Sequence, residues 1–224
     1  PIIRYEAASF NKGESLVDFQ GNSNMTLYNM RNSSLDYSRG NICINFDGST
    51  QYSMSSTDLA PFFKNSKSVS LFVYIKYISD GVVVDELGQP ELDVVWHDSQ
   101  IEIYNNGIVG YRLWNGLTVS SNFKLKKNQY YHLGFTYDET SNLLFGYVDG
   151  NKINFDFVNS IKRETPYEHQ FGLYYSLGGH DSTNLGGKNI KAGMCLRSFH
   201  AYNYALKNDE VQMLWLNQKN FYDV

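Results

Sequence analysis

Flat aromatic side chains stand beside planar polar side chains at several points of this sequence. Trp114 ends an alternating segment that contains Arg112, and Asn115 follows it directly. The apolar faces of sugar rings stack on aromatic rings, while sugar hydroxyls bind guanidinium, amide and carboxylate groups. These residue types therefore predict a sugar-binding site. The alternatives for its other side are Trp96, His97 and Asp98, or the glycine-rich loop with His180, Asp181 and Asn184.

The alternation around Arg112 assigns faces to its neighbours. In an extended strand, Arg112 and Trp114 share one face, and Tyr111 and Leu113 share the other. A charged arginine indicates that its face is accessible to solvent. Trp114 is then either an exposed platform for a sugar or a rim aromatic that covers the edge of the core. The sequence leaves both interpretations open.

Two acidic residues close to Trp96 raise the alternative of catalysis. Residues 91–96, ELDVVW, are similar to part of the E-x-D-x-x-E strand of retaining glycosidases, whose two carboxyl groups lie about 5 Å apart. Trp96 stands in place of the second glutamate, and an indole cannot act as the acid/base. The sequence also lacks a nucleophile elbow, a P-loop and an H-E-x-x-H motif. We therefore expect no enzyme activity, and glycoside hydrolysis is the weaker alternative.

Short strands separated by turn residues fill most of the chain. It has 224 residues, of which 16% are aromatic, with 18 glycines and only 4 prolines. Aromatic residues favour strands, and turn signals recur about every 8–12 residues, which is the pattern of an antiparallel two-sheet sandwich. We predict an all-β jelly-roll sandwich that forms one domain over residues 1–224. The predicted strands are 41–46, 68–76, 91–96, 100–104, 108–114, 131–137, 143–148 and 152–157.

Turns and helices are predicted at a few further positions. The polar triplet 97–99 is expected to turn the chain between two strands, and Asp149-Gly150 is expected to form a tight hairpin turn. Helical spacing of apolar residues, with acids near its start, predicts one helix over 207–215. Residues 56–63 are expected to hold one short helical turn.

Three separated segments carry motifs in a consistent order. Residues 43–49, CINFDGS, are followed by Tyr52; residues 129–138, QYYHLGFTYD, are followed by LFGYVDG; and residues 196–206, LRSFHAYNYAL, are followed by DEV. Together they resemble the laminin-G-like and concanavalin-A-like jelly-roll family over roughly residues 41–215. The resemblance implies a carbohydrate-binding or lectin-like domain of an extracellular, cell-surface or virion-surface protein. It does not identify the ligand, because a fold serves many functions.

Cofactors are not expected from this sequence. Cys43 and Cys195 are too few for a four-ligand zinc site, and they are either two buried thiols or one disulfide. The calcium loop of the resembling family is not recognisable in residues 15–29, so an inherited structural calcium site stays open. His132 lies between apolar strand residues, which favours a structural histidine over a metal ligand.

Charge and hydropathy limit the classes of partner. The net charge is −4 with both signs interspersed, so we expect no nucleic-acid partner. No apolar run approaches the roughly 20 residues of a membrane span, so we expect no membrane insertion. The expected partner is an oligosaccharide, a polysaccharide or a glycoprotein glycan. The alternative is a protein- or receptor-binding module, such as a viral or phage fibre domain or a toxin receptor-binding domain; the oligomeric state is not predicted.

Overall fold

Two antiparallel sheets pack face to face in the computed structural model, which describes residues 1–37, 42–63, 66–88, 97–113, 118–141, 143–153, 172–179 and 192–222. The predicted all-β sandwich is thus confirmed. The strands in chain order are β1 (Ile3–Glu6), β2 (Phe10–Asn11), β3 (Ser15–Leu16), β4 (Met25–Tyr28), β5 (Leu35–Asp36), β6 (Cys43–Asp47), β7 (Tyr52–Ser55), β8 (Lys67–Ile75), β9 (Gly81–Leu87), β10 (His97–Ile103), β11 (Ile108–Arg112), β12 (Thr118–Lys124), β13 (Gln129–Asp138), β14 (Leu143–Val148), β15 (Asn151–Lys152), β16 (Tyr174–Leu177) and β17 (Gly193–Tyr202).

The strands divide between an eight-stranded and a nine-stranded sheet within the described ranges. The order in the eight-stranded sheet is β15-β14-β13-β8-β17-β6-β5, and β1 also pairs with β17. The order in the nine-stranded sheet is β12-β11-β10-β9-β16-β7-β4-β3-β2. Many neighbours in space are distant in sequence, so each sheet forms only when remote parts of the chain meet.

The core between the sheets follows from the alternation of apolar residues. Val69, Leu71, Val73 and Ile75 alternate along β8, and all four are buried and face the other sheet. An aromatic contact joins the two sheets. Tyr175 of β16 contacts Phe199 of β17 edge to face, with 5.3 Å between the ring centroids. Such pairs stabilise a core by more than the burial of their apolar area alone.

Buried tyrosines keep their hydroxyls bonded to backbone oxygens. Tyr5 donates to the carbonyl of Ser23 at 2.6 Å, and Tyr111 donates to the carbonyl of Tyr147 at 3.1 Å. Burial of a hydroxyl without a partner costs free energy, so these bonds let large polar aromatics fill the core.

The hairpin between β14 and β15 has the predicted turn. Asp149 and Gly150 both adopt positive φ, 51° and 72°, which a tight hairpin turn of this type requires.

The expected turn at 97–99 is wrong. His97 and Asp98 belong to β10 and pair with Leu87 and Glu86 of β9. Pairing along β9 overrides the turn propensity of these polar residues. The register with β9 shifts between Asp98 and Ile101 and again between Ile101 and Glu102.

Helix α1 (Asn208–Tyr222) is longer than predicted and packs on the outer face of the eight-stranded sheet. Val211 joins a small apolar cluster with Tyr147, Tyr202 and Leu206. Gln218 donates to the hydroxyl of Ser198 in β17 at 3.0 Å.

Short 3₁₀ turns occur at Ala7–Ser9, Asn32–Ser34 and Ala60–Phe62, the last within the predicted 56–63 segment. No helix in the described ranges is long and apolar enough to span a membrane.

Cys43 of β6 and Cys195 of β17 form a disulfide, with 5.4 Å between their Cα atoms. Of the two interpretations left open by the sequence, the disulfide is therefore correct and the free buried thiols are wrong. The sequence could not decide between them because Cα separation is a property of the sheet, where β6 and β17 are neighbours.

Candidate functional site

Part of the predicted ligand site lies in the described ranges. Arg112 ends β11, and His97 and Asp98 begin β10. The other residues predicted for the site lie outside the described residues, and their roles stay predictions. They are Trp96, Trp114, Asn115, His180, Asp181 and Asn184.

The strand register brings the start of β10 beside the end of β11. Ile101 pairs with Tyr111 and Glu102 with Gly110, so the chain beyond Arg112 continues toward the residues at the start of β10. Neighbouring antiparallel strands thus place Arg112 and the first residues of β10 at the same end of the nine-stranded sheet. This register supports the first alternative for completing the site.

The second alternative was the loop that contains His180, Asp181 and Asn184. Its described flanks lie at the other end of β9, because Gly178 donates to the carbonyl of Val83 and Ala192 to that of Val82. His97 pairs instead with Leu87 at the far end of the same strand.

Arg112 faces away from the core. Tyr111 and Leu113 on either side of it are fully buried, and Ile101, the cross-strand partner of Tyr111, is buried as well. The side chain of Arg112 is 33% exposed. The predicted division of faces is confirmed for these described residues, and it makes the outer face of the nine-stranded sheet the candidate site.

Glu102 and Tyr104 lie beside Arg112 on this face and form a polar group with it. Its Nη2 lies 4.0 Å from Oε1 of Glu102, and the hydroxyl of Tyr104 donates to Oε2 of Glu102 at 2.9 Å. Burial, and next the negative charge of Glu102, raises the pKa of Tyr104 to about 12. The phenol therefore keeps its proton at neutral pH. The group offers a guanidinium, a carboxylate and a phenol, which are the partners that sugar hydroxyls use.

Aromatic side chains occupy the same face farther along the sheet. Tyr28 of β4 and Tyr52 of β7 stack with ring centroids 4.5 Å apart and an interplanar angle of 3°. Tyr174 and Tyr28 are half-buried and pack on the buried side chains of Met54 and Leu87. Sequence reasoning did not identify Tyr28 because β4 has only four residues, and its alternation is too short to distinguish from chance.

The fold has solved relatives at low sequence identity. Domain 4 of AbnA, a GH43 extracellular arabinanase from Geobacillus stearothermophilus in complex with arabinotriose, superposes with a TM-score of 0.62 and 15% identity, covering 95% of this chain and 96% of that domain. Trypanosoma rangeli sialidase in complex with sialic acid has a TM-score of 0.67 and 13% identity, covering 97% of this chain. The binding domain of botulinum neurotoxin DC in complex with SialylT has a TM-score of 0.61 and 13% identity, covering 96% of this chain and 51% of that one.

These likenesses establish a shared β-sandwich fold. This chain spans about a third of the length of the sialidase chains, 33% in the complex with sialic acid. The sequence matches no family model, and no curated protein sequence matches it. At identities of 12–15%, the likeness concerns the fold alone.

Metal-ligating groups come together at one place in the described ranges. Asp36 lies close to Cys43 and Cys195, but the two sulfurs are joined to each other, so this group offers a single carboxylate. In the segment that was searched for a calcium loop, both carboxylate oxygens of Asp18 accept backbone N–H groups, among them those of Gln20 and Asn22.

His132 lies inside the eight-stranded sheet. It is fully buried in β13, and its Nε2 lies 2.8 Å from the hydroxyl of Ser70. Burial, and next the neighbouring His200, lowers the pKa of His132 to about 3. The imidazole is therefore neutral at physiological pH.

Proposed function

We propose that this chain is a non-catalytic glycan-binding domain of the laminin-G-like jelly-roll type in an extracellular or surface protein. The observation that carries the proposal is the partly exposed Arg112 with Glu102 and Tyr104 on the outer face of the nine-stranded sheet. These three groups combine charged donors, a charged acceptor and a neutral phenol in one small area.

A sugar bound at this face would use the polar group for its hydroxyls and an aromatic ring for its apolar face. Trp114 follows Arg112 by two residues, so alternation directs both to the same side of the strand. A single aromatic contact contributes on the order of 1–2 kcal/mol. We therefore expect weak binding, with a Kd of roughly micromolar to millimolar.

The solved relatives support a glycan as the ligand class. Domain 4 of AbnA matches this chain over nearly the full length of both, and its structure contains arabinotriose. The botulinum neurotoxin binding domain was solved with SialylT. AbnA is an extracellular enzyme, and this chain has a disulfide between Cys43 and Cys195. Both observations favour an oxidising, extracellular location for this chain.

The absence of the second catalytic glutamate supports a binding role over hydrolysis. Trp96 occupies the position where a two-carboxylate glycosidase has its acid/base. A protein- or receptor-binding module is the second candidate. The likeness to the binding domain of botulinum neurotoxin DC favours it.

A glycan array followed by calorimetric titration of the best ligand tests the proposal. Arg112→Gln should weaken binding at least fivefold, because it removes the donors that face the ligand. Arg31→Gln is the matched control, since Arg31 is exposed and lies outside this face. Both variants should melt within a few degrees of the wild-type protein. Failure to bind any glycan on the array, or equal binding by the Arg112→Gln variant, would contradict the proposal, and release of reducing sugar would contradict the non-catalytic part.

A further inference from the structure

A cavity of about 570 Å³ lies between helix α1 and the outer face of the eight-stranded sheet, on the opposite side of the sandwich from Arg112. Its volume falls within the range of small-molecule sites, about 300–1,000 Å³. Apolar walls come from the 3₁₀ turn after β1 and from Leu214 of α1. Polar side chains enter from β1, β17 and α1.

Arg4 supplies the exposed charge of this cavity. Its Nε donates to Oε1 of Glu6 at 3.0 Å, and its side chain is 48% exposed, whereas that of Glu6 is 15% exposed. Nε2 of His200 lies 3.1 Å from the same oxygen of Glu6. Among the described residues, the two terminal nitrogens of Arg4 have no hydrogen-bond acceptor. Two parallel donors of a guanidinium match the geometry of a carboxylate.

Phe19 gives the cavity an aromatic surface next to this guanidinium. Phe19 is 56% exposed, and the guanidinium carbon of Arg4 lies 5.5 Å from the centroid of its ring. A phenylalanine that exposes most of its ring loses the free energy of burial, so a fixed exposed ring next to a cavity indicates a contact surface.

Hydrogen bonds to a buried carboxylate fix Phe19 and Arg4 relative to each other. Asp18 is 3% exposed and accepts the N–H of Arg4 at 2.9 Å and those of Asn22 and Ser23 at 2.8 and 3.1 Å. The N–H of Phe19 donates to the carbonyl of Arg4 at 2.9 Å. The backbones of Phe19 and Arg4 are therefore fixed relative to each other before any ligand arrives, which lowers the entropic cost of binding.

The α1 wall adds a free amide. Asn217 is exposed and lines the cavity, and it makes no side-chain hydrogen bond with the described residues. Its amide offers two donors and an acceptor to hydroxyl or acetamido groups. Gln218, the next residue, is held by Ser198 and fixes this part of the helix against the sheet.

We propose that this cavity is a second binding site, specific for a terminal sugar that carries a carboxylate. The carboxylate pairs with the terminal nitrogens of Arg4, the apolar side of the sugar contacts Phe19, and Asn217 binds its polar substituents. The choice of a sugar rests on the proposed function. The choice of an acidic sugar rests on Arg4, whose terminal nitrogens have no hydrogen-bond acceptor within the part of the chain that the structure describes.

An NMR titration of the isotope-labelled chain with N-acetylneuraminic acid tests this inference. The resonances of Phe19, Ala8 and the Asn217 side-chain amide should shift, with a dissociation constant in the millimolar range. The methyl ester of the same sugar should bind at least fivefold more weakly, because it cannot form the paired hydrogen bonds of a carboxylate. Propionate, a carboxylate without a sugar, should also bind more weakly.

Variants separate this site from the one around Arg112. Arg4→Gln and Phe19→Ala should each weaken binding of the acidic sugar at least fivefold, while the control variant Arg31→Gln leaves it unchanged. Equal binding of acid and ester, or of sugar and propionate, would overturn the inference. So would loss of binding in Arg112→Gln but not in Arg4→Gln, and that result would leave the proposed function intact. If Arg4→Gln fails to fold, the Phe19→Ala variant, at an exposed position, and the methyl ester still test the inference.

Discussion

Lys67 of β8 donates a hydrogen bond to Glu86 of β9, and neither side chain has any exposed surface. The two strands belong to different sheets, so this ion pair joins the sheets across the core. Gln100 of β10 donates to the same carboxylate oxygen. Transfer of two charges from water into a protein interior is costly, and the pair is tolerated because each charge is compensated by the other.

Removing one charge of this pair should therefore destabilise the fold. Glu86→Gln removes the carboxylate charge that pairs with the buried ammonium of Lys67, and we expect a loss of about 3–5 kcal/mol in the free energy of unfolding. Urea unfolding followed by circular dichroism measures this loss. Glu14→Gln is the matched control, because Glu14 is exposed, and it should change stability by less than about 0.5 kcal/mol.

The double replacement Lys67→Met with Glu86→Leu tests the reason for that loss. Both charges disappear together, and apolar side chains of similar volume remain in the core, so most of the lost stability should return. If the double variant is as unstable as Glu86→Gln, the loss arises from packing and the explanation by an uncompensated charge is wrong.

The disulfide should contribute to stability through the unfolded chain. Cys43 and Cys195 are separated by 152 residues, and closing so long a loop removes much of the entropy of the unfolded state. We expect the Cys43→Ala, Cys195→Ala double variant to lose about 2–5 kcal/mol in urea unfolding. Thiol titration of the denatured, unreduced wild-type protein should find no thiol from this pair; two free thiols there would contradict the pairing.

Local patterns predicted the parts of the fold that depend on neighbouring residues. The buried face of β8 follows from alternation alone, and the Asp149-Gly150 turn follows from the need for positive φ. The turn expected at His97 and Asp98 failed because pairing with β9, the preceding strand, determines their conformation.

Candidate binding residues were predictable only where they follow a strand pattern. Arg112 was found because its neighbours alternate. Arg4, Phe19 and Asn217 lie on a β-strand, a loop and a helix that meet in three dimensions, and no sequence spacing connects them. Asp18 fixes the loop that contains Phe19 by accepting the backbone N–H groups of Gln20 and Asn22. Every residue except proline has such a group, so the local sequence does not reveal the role of Asp18.

Acidification should destabilise the protein through His132. Burial, and next His200, lowers the pKa of His132 to about 3 in the folded chain, against about 6.5 when it is unfolded. Between these values the unfolded chain binds a proton that the folded chain does not bind. This contribution to stability is complete above pH 6.5 and is lost as pH falls toward 3, by up to about 1.4 kcal/mol per pH unit.

The variant His132→Gln isolates this contribution. A glutamine can retain a hydrogen bond to Ser70 but does not titrate, and the carboxylates contribute equally in both proteins. Urea unfolding between pH 7 and pH 4 should therefore show a steeper loss of stability in the wild-type protein than in the variant. Parallel curves would indicate that His132 is accessible to protons in the folded state.

Trp114→Ala decides between the two interpretations of that tryptophan. The alternation in the sequence predicts that Trp114 shares the face of Arg112, which is partly exposed, so we expect Trp114 to bind the glycan. The variant should lose most of the glycan affinity and keep its melting temperature. Trp215→Ala is the matched control, because Trp215 packs against Gly150 at the other sheet and should lower the melting temperature without affecting binding. If Trp114→Ala instead costs about 3–5 kcal/mol of stability, Trp114 is a core residue and the site around Arg112 needs another aromatic partner.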